Sequence, residues 1–386
     1  NFRLGSKRSF LEKEKMDDKA RSHLKEHGWV VIPNVVDSKE CDECSNQLFN
    51  FLVGQNRNLK RDDPSTWIKS NLPKGTIRGG MNRCAAHLQP LWDIRQHPGV
   101  VQIFADLYRV KPIDLVTSMD AWTVYNSKAI DDSAGGRKEN WIHFDQGPQP
   151  LPLWPCAETP STLQENIEDE SKREAPAPFQ CVQGYVTLED ADDEDKDGGL
   201  FLLDKGHRLH TSYFVGHKKH AHGNFHMLDK EFLASLDPLY FKLLQVRAKK
   251  GSVVLWYSTT PHQGRPPTSQ GHDRSVVYVC QAPKQLMTEK DLKTRKEAWS
   301  KGLMTCHWPV CNNVKIFQGE SKSPTRKIRL TDLGRSLLGF EINGNNAVVE
   351  RAGILGRITS KEAKHQRKKA KLQVQSKSSS TMGEEL

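Results

Sequence analysis

In the stretch Asn140–Pro150, "NWIHFDQGPQP", His143 and Asp145 stand two residues apart. On an extended segment, side chains at i and i+2 share a face. The imidazole and the carboxylate therefore converge, with Ile142 and Phe144 packing behind them. A convergent His and Asp supply two thirds of the facial triad that holds non-haem iron(II) and leaves three coordination positions open. By itself the pair is a weak signal, and a surface hydrogen bond at a strand end is its commoner meaning. The chemistry turns on a second histidine.

"KKGSVVLWYSTTPHQGRPPTSQGHDRSVVYVCQ" contains one. A strand over Ser252–Tyr257 leads to His262, then to a Pro- and Gly-rich loop, then to a second strand from Arg274. A His on one strand of a small barrel can approach an H-x-D on its neighbour, which completes a triad of His143, Asp145 and His262. Two imidazoles and one carboxylate suit Fe(II) and leave room for a bidentate 2-oxo acid and for O2. Arg274, with its forked guanidinium, is placed to take the distal carboxylate of 2-oxoglutarate. Arg265 competes for that role, but a loop arginine is less well fixed than one on a strand.

The elements that position these residues follow from the pattern. "MDDKARSHLKEHGWVVIPNVV" predicts a helix that stops at Gly28 and a strand that ends at Pro33. "SKECDECSNQLFNFLVGQ" predicts a second helix, N-capped by Asp37 or Ser38. "PGVVQIFADLYRV" predicts a third, with Val101, Phe104, Leu107 and Tyr108 at helical spacing. Strand-like segments then follow: "PIDLVTSMDAWTVYN", "NWIHFDQ", "FQCVQGYVTLED", "GGLFLLDKGH", "GSVVLWYST" and "RSVVYVCQAP". The expected fold is mainly β with packed helices, on an antiparallel sandwich or barrel and not a doubly wound parallel sheet. The acidic, proline-bounded run Ala157–Pro178 is expected to form a lid over the His143–Asp145 face. "EDADDEDKDGG" reads as a solvated turn, because it lacks the spacing of a calcium loop.

The 386 residues, 36% hydrophobic and 27% charged, suffice for a large domain with its own core. No apolar run reaches the length of a membrane span. Eight irregularly spaced cysteines fit a reduced intracellular protein, cytoplasmic or nuclear. The chain begins with Asn, which leaves room for an upstream targeting segment. Cys41 and Cys44 have zinc-ligand spacing and could combine with Cys306 and Cys311, but they fall on a predicted helix as ordinary thiols. Half of the +10 net charge lies after Gly356, where eight Lys/Arg meet three acids. The expected organisation is one oxygenase domain over 1–355 and a basic, disordered tail over 356–386. His207 and His210 are rival ligands, with His207 read as closing a strand. The cluster His217, His220, His222 and His226 fits no catalytic template.

From Leu24 to Pro283 the chain resembles the phytanoyl-CoA dioxygenase family of Fe(II)/2-oxoglutarate oxygenases. The resemblance rests on "LKEHGWVVIPNVVD", "HFD", "VTLEDADDEDKDGGLFLLDKGHRLH" and "GSVVLWYSTTPHQGRPP…DR". It implies a double-stranded β-helix (jelly-roll, cupin-like) core, a metal triad at His143, Asp145 and His262, and a cosubstrate anchor at Arg274. There are departures. "DKGH" replaces the usual Pro-Gly-Ser-His, Pro266-Pro267 stands where relatives have Pro-Asn, and Gly264 replaces a small hydroxyl residue two positions after the distal His. The remaining 2-oxoglutarate contact is therefore assigned to Gln146, Thr123 or Tyr125.

The expected activity is hydroxylation of a small organic substrate, with 2-oxoglutarate converted to succinate and CO2. An intact Asp145 leaves no vacant position for a halide and argues against halogenation. Two other classes compete. One is an oxygenase acting on a nucleic-acid base or a basic protein partner, raised by the charge of the tail. It is disfavoured by the acidic surroundings of the metal motif and the lack of interleaved basic and aromatic residues. The other, a non-catalytic binding protein on the same fold, conflicts with an intact triad and Arg274.

Overall fold

The computed structural model describes residues 16–73, 75–77, 80–83, 86–129, 141–148, 153–154, 177–178, 181–216, 224–309, 316–317 and 328–341. All of them fall in one compact unit within Asn1–Asn343. The expected lid, apart from residues 177–178, lies outside the described residues, as do the basic tail and the histidines at 217, 220 and 222.

Helix α1 (Asp18–His27) starts at Asp17, whose carboxylate accepts the Ala20 N–H. It ends at Gly28, where φ is +83°. A side chain is unfavourable in that conformation. It would also collide there, since a Cβ on Gly28 would lie 2.4 Å from His207 Nδ1. Helix α2 (Ser38–Gln55) opens on a reciprocal capping box between Asp37 and Glu40. Its Leu48, Phe49 and Leu52 are buried. Helices α3 (Gln89–Arg95) and α4 (Pro98–Tyr108) both carry Pro in the first turn, where its missing N–H costs no helical bond. The other α-helices among the described residues are α5 (His210–Gly216), α6 (Lys230–Ala234), α7 (Glu289–Ser300) and α8 (Asp332–Leu337).

Twelve strands, numbered along the chain, form two antiparallel sheets. They are β1 (Trp29–Ile32), β2 (Thr76–Ile77), β3 (Met81–Asn82), β4 (Trp122–Tyr125), β5 (His143–Phe144) and β6 (Val182–Thr187). Then come β7 (Gly199–Leu203), β8 (His226–Met227), β9 (Leu243–Gln245), β10 (Val253–Tyr257), β11 (His262–Arg265) and β12 (Arg274–Tyr278). The larger sheet has the order β1-β10-β6-β12-β4-β3-β2, and the smaller β8-β5-β11-β7-β9.

Alternation along the strands separates two cores. Val182, Val186, Val253, Leu255 and Val277 face the helices and pack with Leu48, Phe49 and Phe104. Tyr185, Val254, Trp256 and Val276 point the other way and meet Leu200 and Leu202 of β7 between the sheets. The larger sheet therefore has both faces covered, by helices on one side and by the smaller sheet on the other.

The expectation of a mainly β chain is corrected here. Among the described residues, helical residues outnumber strand residues and the two sheets do not close into a barrel. The strands are short, from two to six residues. "PIDLVTSMDAWTVYN", which reads as one strand, breaks in two. Leu115–Thr117 leaves both sheets to pair with Gln281–Pro283, and Trp122–Tyr125 becomes β4. No helix among the described residues is long and apolar enough to cross a membrane.

Candidate metal centre

Strands β5 and β11 are neighbours, and His143 lies directly opposite His262. Directly opposed residues of an antiparallel pair project to the same side. Leu202 of β7 stands opposite His262 in the next pairing and enters the core between the sheets. The register thus turns both imidazoles into the space between the sheets. Asp145, two residues beyond His143, is fixed through its backbone. Its N–H donates to the Ser258 carbonyl at 3.0 Å, and its own carbonyl accepts the Trp308 indole N–H at 3.0 Å.

One donor atom from each of His143, Asp145 and His262 lies within 4.8 Å of the others, and all three residues are buried. Asp145 Oδ2 is 3.3 Å from His262 Nε2 and 3.5 Å from His143 Nε2. A divalent ion bound at about 2.1 Å would hold cis donors about 3 Å apart. The two carboxylate–imidazole separations need to contract by only a few tenths of an ångström.

The tautomers suit a metal. His143 Nδ1 lies 3.0 Å from the Trp141 carbonyl and His262 Nδ1 lies 2.9 Å from the Thr260 carbonyl. Each Nδ1 must carry the proton to donate to a carbonyl, and Nε2 is then the nitrogen that each ring turns toward Asp145. Burial and the adjacent His143 push the His262 pKa down, against the opposing pull of Asp145. Burial acts to raise the Asp145 pKa, but His307, His143 and His262 overcome it and hold the carboxyl well below the usual range. A neutral imidazole and an ionised carboxylate are the forms that ligate.

Aromatic rings pack round His143. Trp141 stacks on it at 4.9 Å between centroids and 10° between planes, and the exposed Phe225 lies at 4.5 Å.

Arg274 opens β12 and is 4% exposed. Tyr125 stands directly opposite it, and Thr123 follows on the same face, opposite Val276. The Thr123 hydroxyl lies 3.2 Å from the Tyr278 hydroxyl. Gln146 faces elsewhere: its side-chain oxygen accepts from Ser258 Oγ, and its carbonyl lies 2.7 Å from His210 Nε2. Arg265 projects from the opposite face of β11 to His262 and stacks over Phe201 at 3.7 Å. Gly264, on the His262 face, lies against Arg274. A Cβ at 264 would fall 3.0 and 3.2 Å from its two terminal nitrogens. The rival His207 reaches the Lys25 carbonyl and ties the chain to α1. Cys41 and Cys44 are buried on α2 and belong to no metal-binding cluster among the described residues.

Sequence reading missed three contributors. Gln183 of β6, 3% exposed, donates its amide N–H to Asp145 Oδ2 at 2.9 Å. His307 Nε2 comes within 3.6 Å of the same oxygen from a partly exposed position. Trp308 supplies the indole described above. The last two lie in "CHWPVC", where closely spaced aromatic and ligand-type residues were the available signal.

No family model matches the chain. "Ava biosynthesis cluster protein O" of Aspergillus versicolor is 23% identical over 309 residues, which is 78% of this chain and 88% of that protein. A "Putative phytanoyl-CoA dioxygenase" of Dictyostelium discoideum is 24% identical over 248 residues, 61% of this chain and 67% of that one. Among solved structures, the product of GlcNAc Inducible Gene 2 of Candida albicans superposes with a TM-score of 0.50 at 15% identity, covering 87% of this chain and 79% of its own. A "Putative Oxidoreductase" of Salmonella typhimurium gives 0.51 at 14% identity, covering 84% and 83%. At these identities the structural likeness concerns the fold alone. Taken with the two-histidine, one-carboxylate cluster, the resemblance to the Dictyostelium protein points to the broad superfamily of Fe(II)/2-oxoglutarate-dependent oxygenases; no single family within it is shown.

Proposed function

We propose that the chain is an Fe(II)/2-oxoglutarate-dependent dioxygenase of the phytanoyl-CoA dioxygenase type that hydroxylates a small organic substrate. The observation that carries this reading is the convergence of His143, Asp145 and His262 between the sheets, with each imidazole already turned by a carbonyl to offer Nε2. The donor set fits iron(II): two imidazole nitrogens and one carboxylate oxygen, with the remaining positions left for other ligands.

Iron(II) bound here would activate O2 and drive the coupled oxidation of 2-oxoglutarate, giving succinate, CO2 and a hydroxylated product. The protein's own part is positioning. The Trp141 and Thr260 carbonyls hold the two imidazoles, and Ser258, Trp308 and Gln183 hold Asp145. Arg274 is the residue assigned to the distal carboxylate of 2-oxoglutarate. It is buried on a strand, and Gly264 leaves space beside its guanidinium. Tyr125 and Thr123, on the same face, are assigned as its hydroxyl neighbours; Gln146 is already engaged with Ser258.

The test is anaerobic titration with Fe(II) and 2-oxoglutarate, followed by admission of O2 and measurement of succinate across a panel of metabolites and methylated oligonucleotides. Stoichiometric iron binding and succinate release stimulated by a small metabolite are expected. Failure to bind iron would overturn the reading, and stimulation by the oligonucleotides alone would replace the substrate class.

A further inference from the structure

Gln183 lies on the larger sheet, while the triad belongs to the smaller sheet and the loop after it. Its position is set by register. Gln183 pairs with Trp256 and alternates with Tyr185, both of which pack between the sheets. A glutamine at this depth must have its amide satisfied on both sides. One side is: Nε2 donates to Asp145 Oδ2 at 2.9 Å. The choice of nitrogen is not arbitrary, because an ionised carboxylate only accepts. The amide oxygen is thereby turned away from Asp145, and it is buried with no hydrogen-bond partner among the described residues. A proton-bearing ligand on a metal held by the triad is the kind of partner such an orphan lacks.

The same hydrogen bond limits what Asp145 can do. Its Oδ2 faces the Nε2 atoms of His262 and His143, and a carboxylate free to rotate would present its two oxygens to a metal interchangeably. The Gln183 amide fixes the plane of the carboxylate, and the Trp308 indole and the Ser258 carbonyl fix the backbone beneath it. We propose that Gln183 is a positioning residue of the metal centre, which sets the orientation of Asp145 from the opposite sheet and so tunes both the affinity and the coordination geometry of the bound ion. This inference rests on the metal-site reading above. Loss of such outer partners typically weakens metal binding by about 10- to 100-fold.

The experiment uses the full chain and Mn(II), which reports its own binding by the loss of the free-ion paramagnetic resonance signal. The variants are Gln183→Leu and Gln183→Met, which keep the volume and remove the amide. Val254→Ala, on the neighbouring strand and the same face, disturbs packing without touching Asp145. Mn(II) affinity should fall by about 10- to 100-fold in both Gln183 variants and hold in Val254→Ala. The visible ligand-field spectrum of the Co(II)-loaded protein should also change in the Gln183 variants, a readout that general loosening of the core would not produce. Unchanged Mn(II) affinity in a folded Gln183 variant overturns the proposal, and so does an equal loss in Val254→Ala. If the unsubstituted protein does not bind Mn(II), or His143→Ala binds it equally well, the metal site itself is wrong, which is a separate failure.

Discussion

Substitution of Arg274 would separate the proposed cosubstrate pocket from the proposed metal centre. The guanidinium is almost wholly buried, stands opposite Tyr125 and lies beside the bare backbone of Gly264. Breaking a buried guanidinium–carboxylate pair leaves one charge desolvated and unpaired, at a cost of about 3–5 kcal/mol. At about 1.4 kcal/mol per tenfold, this corresponds to roughly two to three and a half decades in affinity. Arg274→Ala should therefore raise the 2-oxoglutarate requirement by that amount and leave Fe(II) binding intact. Arg274→Lys should recover part of the loss, since an ammonium keeps the charge without the fork. Gly264→Val should also weaken 2-oxoglutarate, by pushing the guanidinium aside. Arg265→Ala should have little effect, because that side chain stacks on Phe201 from the far face of β11. The assay is anaerobic titration of 2-oxoglutarate into the Fe(II)-loaded protein, read by the visible charge-transfer absorption of the chelate. If Arg265→Ala is crippled and Arg274→Ala is nearly normal, the assigned pocket lies on the wrong side of the strand.

His143→Ala and His262→Ala should each abolish Fe(II) binding and succinate release with the circular dichroism spectrum retained; iron affinity surviving in either would reject the triad. Trp308→Phe leaves the Asp145 carbonyl without its indole and should lower stability to urea by about 1–3 kcal/mol. His87 supplies a pH test. Its Nδ1 accepts the Trp92 indole N–H and its Nε2 lies 2.8 Å from the Leu303 carbonyl, and burial lowers its pKa to about 4. The unfolded chain takes up this proton near pH 6.5, before the folded one does. Stability is therefore intact above about 6.5 and declines as the pH falls toward 4, by about 3 kcal/mol in all. His87→Gln should remove that part of the acid sensitivity in pH-dependent denaturation; identical pH profiles would show that His87 is not buried neutral.

The parts of the site legible in the sequence were those governed by short periods. His143 and Asp145 converge because alternate residues share a face, and His262 and Arg274 each begin a strand next to Pro or Asp punctuation. The first helix–strand unit was legible from its punctuation, with Gly28 ending the helix and Pro33 the strand. Gln183 was not, because a glutamine on a strand has no chemical signature until the opposite sheet brings Asp145 to it. Helix α7 was missed for another reason. It has a capping box at Thr288 and Asp291, but it buries only Arg295 and Ala298 and so shows no apolar stripe. The excess of helix over strand follows from such elements, together with strands cut short where the chain leaves a sheet.

The indole that steadies Asp145 comes from a residue 163 positions later in the chain. All three proposed ligands have been synthesised once the ribosome passes His262, but Trp308 follows 46 residues afterwards. At roughly 5–20 residues per second, translation leaves an interval of about 2–9 s between the two events. During that interval a nascent chain carries every donor without the clasp on the carboxylate loop. A metal captured then would meet a looser site than the finished one. A chain cut anywhere between His262 and Trp308 would keep the whole triad and lack the group that holds it in place.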